Sequence, residues 1–216
     1  MESHWDSYWE EKSNRSYWLE PDRAVVELKN SLDKSGIKDV LDLGCGIGRH
    51  TLLFAEAGFK ITAVDSSQNA LNLLQRQVEE KGIPVKIING NYSQDLFPGE
   101  SFDFILAYNV LYHGYRETFT DAIHLVYRWL KPGGLFFFTC PTRRDDKYGN
   151  GEEVAEDTYK SLNSAHLGDV HYFAGEYDIA DFLSEFSDFS KSVYEHYWDN
   201  KGTEQFSSHW LILAHK

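Results

Sequence analysis

The stretch Val40-Leu41-Asp42-Leu43-Gly44-Cys45-Gly46-Ile47-Gly48-Arg49-His50-Thr51 puts an acid, three glycines and an apolar helical run in an order that suits a nucleoside. It reads as a short buried strand from Asp39 to Leu43, a glycine-rich turn, and a helix that begins near Ile47 and continues through Thr51-Leu52-Leu53-Phe54-Ala55. Glycines leave no Cβ between backbone and ligand and permit positive φ, so a bulky cofactor can press on the turn and meet the unpaired N–H groups of the following helix. Strand, glycine turn and helix N-terminus together make a nucleotide site.

The spacing and the flanking acids narrow the choice. A dinucleotide fingerprint is G-x-G-x-x-G, whereas here Gly44, Gly46 and Gly48 alternate with other residues and Asp42 stands just ahead of them. A carboxylate beside the turn repels a pyrophosphate and attracts an ammonium, such as the one on the amino-acid end of S-adenosylmethionine. A second acid, Asp65, closes the next strand, Lys60-Ile61-Thr62-Ala63-Val64-Asp65, where a carboxylate can accept hydrogen bonds from both ribose hydroxyls. The two acids and the glycine spacing favour S-adenosylmethionine over NAD.

Over residues 40–138 the sequence resembles a class I S-adenosylmethionine-dependent methyltransferase of the small-molecule type, with looser similarity to the tellurite-resistance-like branch towards both ends. The resemblance implies that Asp42 and the Gly44-Gly46-Gly48 turn, with Cys45 inside it, hold the methionine part, and that Asp65 and the adjoining Ser66 hold the ribose. It also implies an acid after the third strand for the adenine amine. This chain has Asn91 there, followed by Tyr92, and an Asn carbonyl oxygen can still accept from that amine. Tyr108, at the end of the fourth strand, completes the expected cofactor-binding set.

Acceptor chemistry is expected where strand order reverses, at the end of the fourth strand, in Ala107-Tyr108-Asn109-Val110-Leu111-Tyr112-His113-Gly114. Methyl transfer from a sulfonium is an in-line displacement that needs alignment, exclusion of water and an acceptor lone pair freed of its proton. His113 can take that proton at neutral pH with help from Tyr112; capping a loop or stacking on adenine is the other use of His113. Asn109 and Tyr112 stand where amino-methylating DNA enzymes carry Asn/Asp-Pro-Pro-Tyr, but Val110 and Leu111 replace both prolines. Arg143 is available to bind an anionic group of the acceptor, or, with Arg144, to pair with Asp145 and Asp146. His166, Asp169 and His171 lack a recognised ligand spacing, so no metal is expected, and His171 is assigned to the acceptor wall.

These residues need a doubly wound α/β frame to bring them together. Helix 67–81 carries Leu71, Leu74 and Val78 inward, with Ser66 or Ser67 as N-cap and Gly82 as stop. Strands at 84–89 and 102–108, a helix at 117–130, the Pro132-Gly133-Gly134 turn and a strand at 135–140 follow. A helix at 176–186 precedes strands at 190–198 and 206–215, joined by the turn sequence Asp199-Asn200-Lys201-Gly202. The alternation points to an α/β fold with parallel strands, and the resemblance implies a Rossmann-like seven-stranded sheet of order 3-2-1-4-5-7-6 with the last strand antiparallel, in a single domain over residues 1–216. Two segments embellish it. Residues 1–20, dense in Trp5, Tyr8, Trp9, Tyr17 and Trp18, form either a helix docked on the outside or the lid that the resemblance suggests, with Tyr8 and Trp9 near the methionine chain. Residues 141–175 are polar, glycine-punctuated and too long for a plain connection, which suits a substrate-side insertion.

Composition excludes several classes. With 21 basic against 34 acidic side chains, a net charge of −13, the chain has no cationic excess to displace counterions from nucleic acid. No apolar run is long enough to span a bilayer and the first residues lack a basic, apolar leader, so a cytoplasmic, soluble protein is expected, as monomer or homodimer, acting on a small molecule. Cys45 and Cys140 form no C-x-x-C pattern. Two other readings stand beside methyl transfer: a non-catalytic S-adenosylmethionine-binding or partner subunit, and an NAD-dependent oxidoreductase, which would need a different glycine spacing.

Overall fold

The computed structural model describes residues 4–10, 18–32, 36–162, 169–200 and 203–216. Two compact units make up the chain, residues 1–106 with 129–134 and residues 107–128 with 135–216.

In the first unit the strands are β1 (Asp39–Leu43), β2 (Lys60–Asp65), β3 (Lys86–Asn89) and β4 (Phe102–Ala107), of which only the last residue falls outside it. β1 pairs in parallel with both β2 and β4, and β2 with β3. Near-continuous burial of Val40-Leu41-Asp42-Leu43 and of Ile61-Thr62-Ala63-Val64 is what a parallel strand covered on both faces requires. The strand starts are tied by charge. Lys131 Nζ reaches Asp39 Oδ2 at 2.7 Å and Asp103 Oδ1 at 2.9 Å, while Asp103 Oδ2 accepts the amides of Lys38 and Asp39.

Among the described residues the helices of this unit are α1 (His4–Glu10), α2 (Arg23–Leu32), α3 (Arg49–Glu56) and α4 (Gln68–Lys81). α3 begins at Arg49, later than the expected Ile47, because Gly46 (φ 54°) and Gly48 (φ 92°) are left-handed and cannot be part of a right-handed helix. α4 is capped by Ser67, whose side chain accepts the Ala70 amide, and stopped by Gly82 in the left-handed region. β3 starts two residues past its expected boundary at 84, since Pro84 has no N–H to give the ladder.

The second unit contains β6 (Glu152–Ala155), β7 (Thr158–Lys160), β8 (Val170–Tyr172), α6 (Asp178–Phe182), β9 (Asp188–Asn200) and β10 (Thr203–His215). α5 (Arg116–Trp129) and β5 (Leu130–Pro141) run through the boundary between the units. β5 begins earlier than the expected 135, with Gly133 at φ 74° turning the chain inside it. β10 lies antiparallel between β5 and β9. Phe119 of α5 packs on Phe138 of β5 and Phe182 of α6, with ring centroids 6.0 and 4.9 Å apart. The helix expected at 176–186 is shorter: the Asp178 carboxylate accepts the Gly175 amide at 2.7 Å and starts it late. The polar segment 141–175, read from sequence as a substrate-side insertion with no elements assigned, holds the antiparallel sheet β6-β7-β8, its first hairpin turning at Asp157 with φ 52°.

Across the chain the seven-stranded order is β3-β2-β1-β4-β5-β10-β9. In the sequence of these seven strands that is 3-2-1-4-5-7-6, with the antiparallel final hairpin that was expected. Among the described residues no helix is long and apolar enough to cross a membrane.

Candidate functional site

The first unit gathers the carboxylates and glycines. Asp42, on β1, is buried, and its Oδ2 accepts the Thr51 hydroxyl of α3 at 2.6 Å. Burial pushes its carboxyl up to about 6; the Thr51 hydrogen bond opposes the shift and the Asp65 charge adds to it. Asp65 ends β2. Its Oδ2 accepts the Gly46 amide and its Oδ1 the Ser67 amide, each at 2.8 Å. Burial also raises the Asp65 carboxyl, against those amide bonds and with the Asp6 charge. The amides of Gly44 and Cys45 donate to the Val64 carbonyl at 2.7 and 2.9 Å, so the turn is stitched to β2 along its length.

α1 lies on this turn. The Trp9 ring comes within 3.2 Å of the place a Cβ would take on Gly46, and Trp9 packs with Ile47 and Ala70. Asp6 is buried and accepts from Ser67 Oγ at 2.8 Å and from the Asn69 amide at 3.2 Å, so it caps the first turn of α4 from outside that helix. Tyr8 accepts the Trp18 indole N–H at 2.8 Å and stands edge-on to Trp9. Of the aromatic leader, Tyr17 lies outside the described residues.

Asn91 follows β3 and is exposed; its Oδ1 accepts both the amide and the hydroxyl of Ser93 at 3.0 Å. Tyr92 is half-buried and burial pushes its hydroxyl up to about 12. Ser66 is half-buried beside Asp65. Cys45 is a free, buried thiol that burial pushes well up, as is Cys140 in the second unit. His50, also buried, accepts the Asp22 amide on Nε2 at 3.2 Å; burial, then the Arg49 charge, holds its imidazole neutral.

The second unit gathers the histidines. Tyr108 follows β4 and is half-buried; Asn109 next to it has φ 59°. The Asn109 amide donates to Thr139 Oγ1 at 2.8 Å, and the Thr139 hydroxyl donates back to Asn109 Oδ1 at 2.8 Å. His209 Nδ1 lies 3.1 Å from the same Oδ1 and so carries the hydrogen there. Its Nε2 is 3.8 Å from buried Asp145, whose two oxygens accept the Lys147 and Ser208 amides. Tyr112 is buried with His113, His171 and His209 around its ring at 4.5, 5.7 and 5.6 Å. His113 Nδ1 and His171 Nε2 are 3.0 Å apart. His171 sits on β8 as part of a strand, which the sequence reading did not anticipate.

The arginines do not pair with their sequence neighbours. Arg143 binds Asp157 at 2.6 Å and Asp178 at 3.2 Å, and its guanidinium fills the space over Gly175; Arg144 binds Glu195 at 3.1 Å. Asp145 is turned inward to cap backbone amides and Asp146 accepts the Phe206 amide, so neither carboxylate is presented to them. His166 lies outside the described residues, and among the described residues no three His, Cys, Asp or Glu side chains gather as metal ligands. The supporting roles of Thr51, Asp6, Thr139 and His209 were missed from sequence; Thr51 lies nine residues from Asp42, while Asp6, Thr139 and His209 are distant in the chain from the residues they support, and no local pattern marks them.

The description "Methyltransferase domain" fits residues 40–134, the span of the glycine turn, both acids and the histidine loop. The chain is similar to the class I S-adenosylmethionine-dependent methyltransferases, in sequence over those residues and in fold over most of its length. S-adenosylmethionine is the cofactor of this methyltransferase family. A cypemycin N-terminal methyltransferase from a Streptomyces species is 29% identical over 139 residues, covering 63% of this chain and 56% of that protein. The structure of TehB from Haemophilus influenzae superposes with a TM-score of 0.68 at 20% identity, over 91% of this chain and 62% of that one. A 1,6-didemethyltoxoflavin-N1-methyltransferase from Burkholderia thailandensis, solved with 1,6-didemethyltoxoflavin and S-adenosylhomocysteine bound, superposes with a TM-score of 0.64 at 20% identity, over 97% and 84% of the two chains. At these identities the structural likeness is one of fold. The chain spans between 54% and 64% of the length of three curated relatives it matches.

The residues present fit that cofactor. Two acids and a glycine turn suit a ligand with an ammonium and a diol, and the left-handed glycines keep side chains off the turn.

Proposed function

We propose that this methyltransferase transfers a methyl group to a small-molecule acceptor, as a single catalytic domain over residues 1–216. One observation carries the cofactor half: Asp42, Asp65 and the Gly44-Gly46-Gly48 turn are gathered at the ends of β1 and β2 by Asp65's bond to the Gly46 amide. S-adenosylmethionine, when bound, supplies a methyl group on a positively charged sulfur. Asp42 attracts the ammonium of its amino-acid end, with Cys45 lining the turn. Asp65 accepts from the ribose hydroxyls with the lone pairs that the Gly46 and Ser67 amides leave, Ser66 beside it. Asn91 and Tyr92 serve the adenine end, where the Ser93 bonds to Asn91 Oδ1 are shared with or exchanged for the adenine amine. Tyr8 and Trp9 on α1 act as the cover, and Tyr108 completes the set.

His113 and Tyr112 form the catalytic pair, with Asn109, Arg143 and His171 on the acceptor side. Arg143 keeps its two carboxylate partners and orders the insertion, with its exposed face available to an anionic acceptor group. The acidic balance of the chain turns the reading away from nucleic acid and towards a soluble metabolite.

Calorimetry with S-adenosylhomocysteine and, separately, NADH tests the reading. Saturable one-site binding of the first, lost in Asp65→Ala, with none of the second, is expected. Binding of NADH alone would overturn it. Turnover of a metabolite panel then separates an enzyme from a binding subunit.

A further inference from the structure

Resting on the methyl-transfer reading, we infer that His113 and His171 work as one hydrogen-bonded imidazole pair, in which His171 is the positioning residue that sets the tautomer of His113, and that the acceptor is protic: an O–H, N–H or S–H group.

His113 Nδ1 and His171 Nε2 stand 3.0 Å apart, a hydrogen-bond distance that needs one hydrogen between two ring nitrogens. The backbone holds both rings to that contact. Residues 113 and 171 form an antiparallel bridge, and the Tyr172 amide donates to the Tyr112 carbonyl at 2.9 Å. His171 is further pinned by its register opposite Tyr159 on β7.

Burial divides the roles. His171 is 5% exposed while His113 is only half-buried, and a charge is tolerated better on the ring that water reaches. With its hydrogen on Nδ1, donated to His171, His113 has its lone pair on Nε2. The acceptor's X–H bond then breaks with its electron pair left on X, and the proton passes to His113 Nε2. The Nδ1–H bond to His171 becomes charge-assisted, roughly twice as strong as its neutral form. Water takes the proton from Nε2 afterwards and restores the pair. A carbon or metalloid nucleophile without an ionisable hydrogen has no use for this device. Among the described residues, titratable groups around the pair include Tyr112 on the same loop and Tyr159 on β7, with His209 on β10 against the Tyr112 ring and Asp145 behind it.

The full chain with 15N-labelled histidine tests this directly through two-bond 15N–1H spectra recorded from pH 5 to 9. His113 should appear as the Nδ1–H tautomer. His171→Ala should return it mainly to Nε2–H and move its titration midpoint, and His171→Gln, whose carbonyl oxygen can accept the same hydrogen, should restore Nδ1–H. S-adenosylhomocysteine affinity should stay within twofold in both variants. With a protic acceptor, kcat/KM should fall more than tenfold in His171→Ala, through kcat, with partial recovery in His171→Gln. An Nε2–H tautomer in the parent protein, a tautomer indifferent to His171→Ala, or turnover confined to carbon acceptors would overturn the inference. Failure of the parent protein to bind S-adenosylhomocysteine would instead sink the methyl-transfer reading, and the spectra would still report on the pair.

Discussion

Asp65 Oδ2 accepts the Gly46 amide at 2.8 Å, and this bond fixes the turn after β1 to the end of β2. The other oxygen caps Ser67, so one carboxylate organises both the glycine turn and the start of α4. Asp65→Asn can present a carbonyl oxygen to only one of the two amides and turns an N–H donor on the other. The variant should lose about 1–3 kcal/mol in urea unfolding. It should also bind S-adenosylhomocysteine more than tenfold more weakly in calorimetry.

Asp42 makes the protein pH-sensitive. Its carboxyl lies near 3.8 unfolded and about 6 folded, so between those values the folded state holds more protons and stability falls as pH rises. The loss is on the order of 3 kcal/mol, complete above about pH 6. A ligand ammonium beside Asp42 reverses the preference, because it favours the ionised form. S-adenosylhomocysteine affinity should therefore weaken below pH 6, by up to about tenfold per unit. Asp42→Asn should flatten both profiles, keep the Thr51 contact and bind weakly throughout; an unchanged stability profile would count against the buried charge.

Gly48 and Gly36 separate strain from crowding. Both have left-handed φ, 92° and 80°, but a Cβ on Gly48 would meet Leu74 Cδ1 at 2.3 Å, while one on Gly36 meets nothing within 4 Å. Gly36→Ala should cost about 1 kcal/mol, the conformational term alone. Gly48→Ala adds an overpacking term and should cost about 3 kcal/mol in chemical denaturation.

Trp9 reports on the cover. Trp9→Ala should release α1 from the glycine turn, seen as faster amide exchange over residues 4–10 and at the Asn69 amide, with little change in exchange of β1 and β2. If the segment serves as the lid, the same variant loses affinity for S-adenosylhomocysteine; an unchanged affinity would make α1 a docked helix and nothing more.

Most of the frame was legible in the residues. The boundaries of β1 and β2 and the caps of α4 follow from apolar runs, Ser67 and Gly82, all local signals with one physical solution. The three strands inside 141–175 were not, because they are short and polar, and their pairing reaches partners as far apart as Thr158 and Tyr172. The partners of Arg143 were hidden for a related reason: Asp157 and Asp178 are distant in sequence, while adjacent Asp145 is drawn inward by backbone amides.

Residue order alone determined the glycine turn, the two acids and the alternation of strands and helices, since backbone freedom, charge and hydrophobic periodicity are properties of neighbours along a chain; the strand order came from the family resemblance. Only the tertiary structure decided that His171 meets His113, that His209 and Thr139 hold Asn109, and that Trp9 covers Gly46. Those contacts join residues from 30 to 100 positions apart, and their angstrom-scale geometry is set by packing between elements that no local pattern encodes.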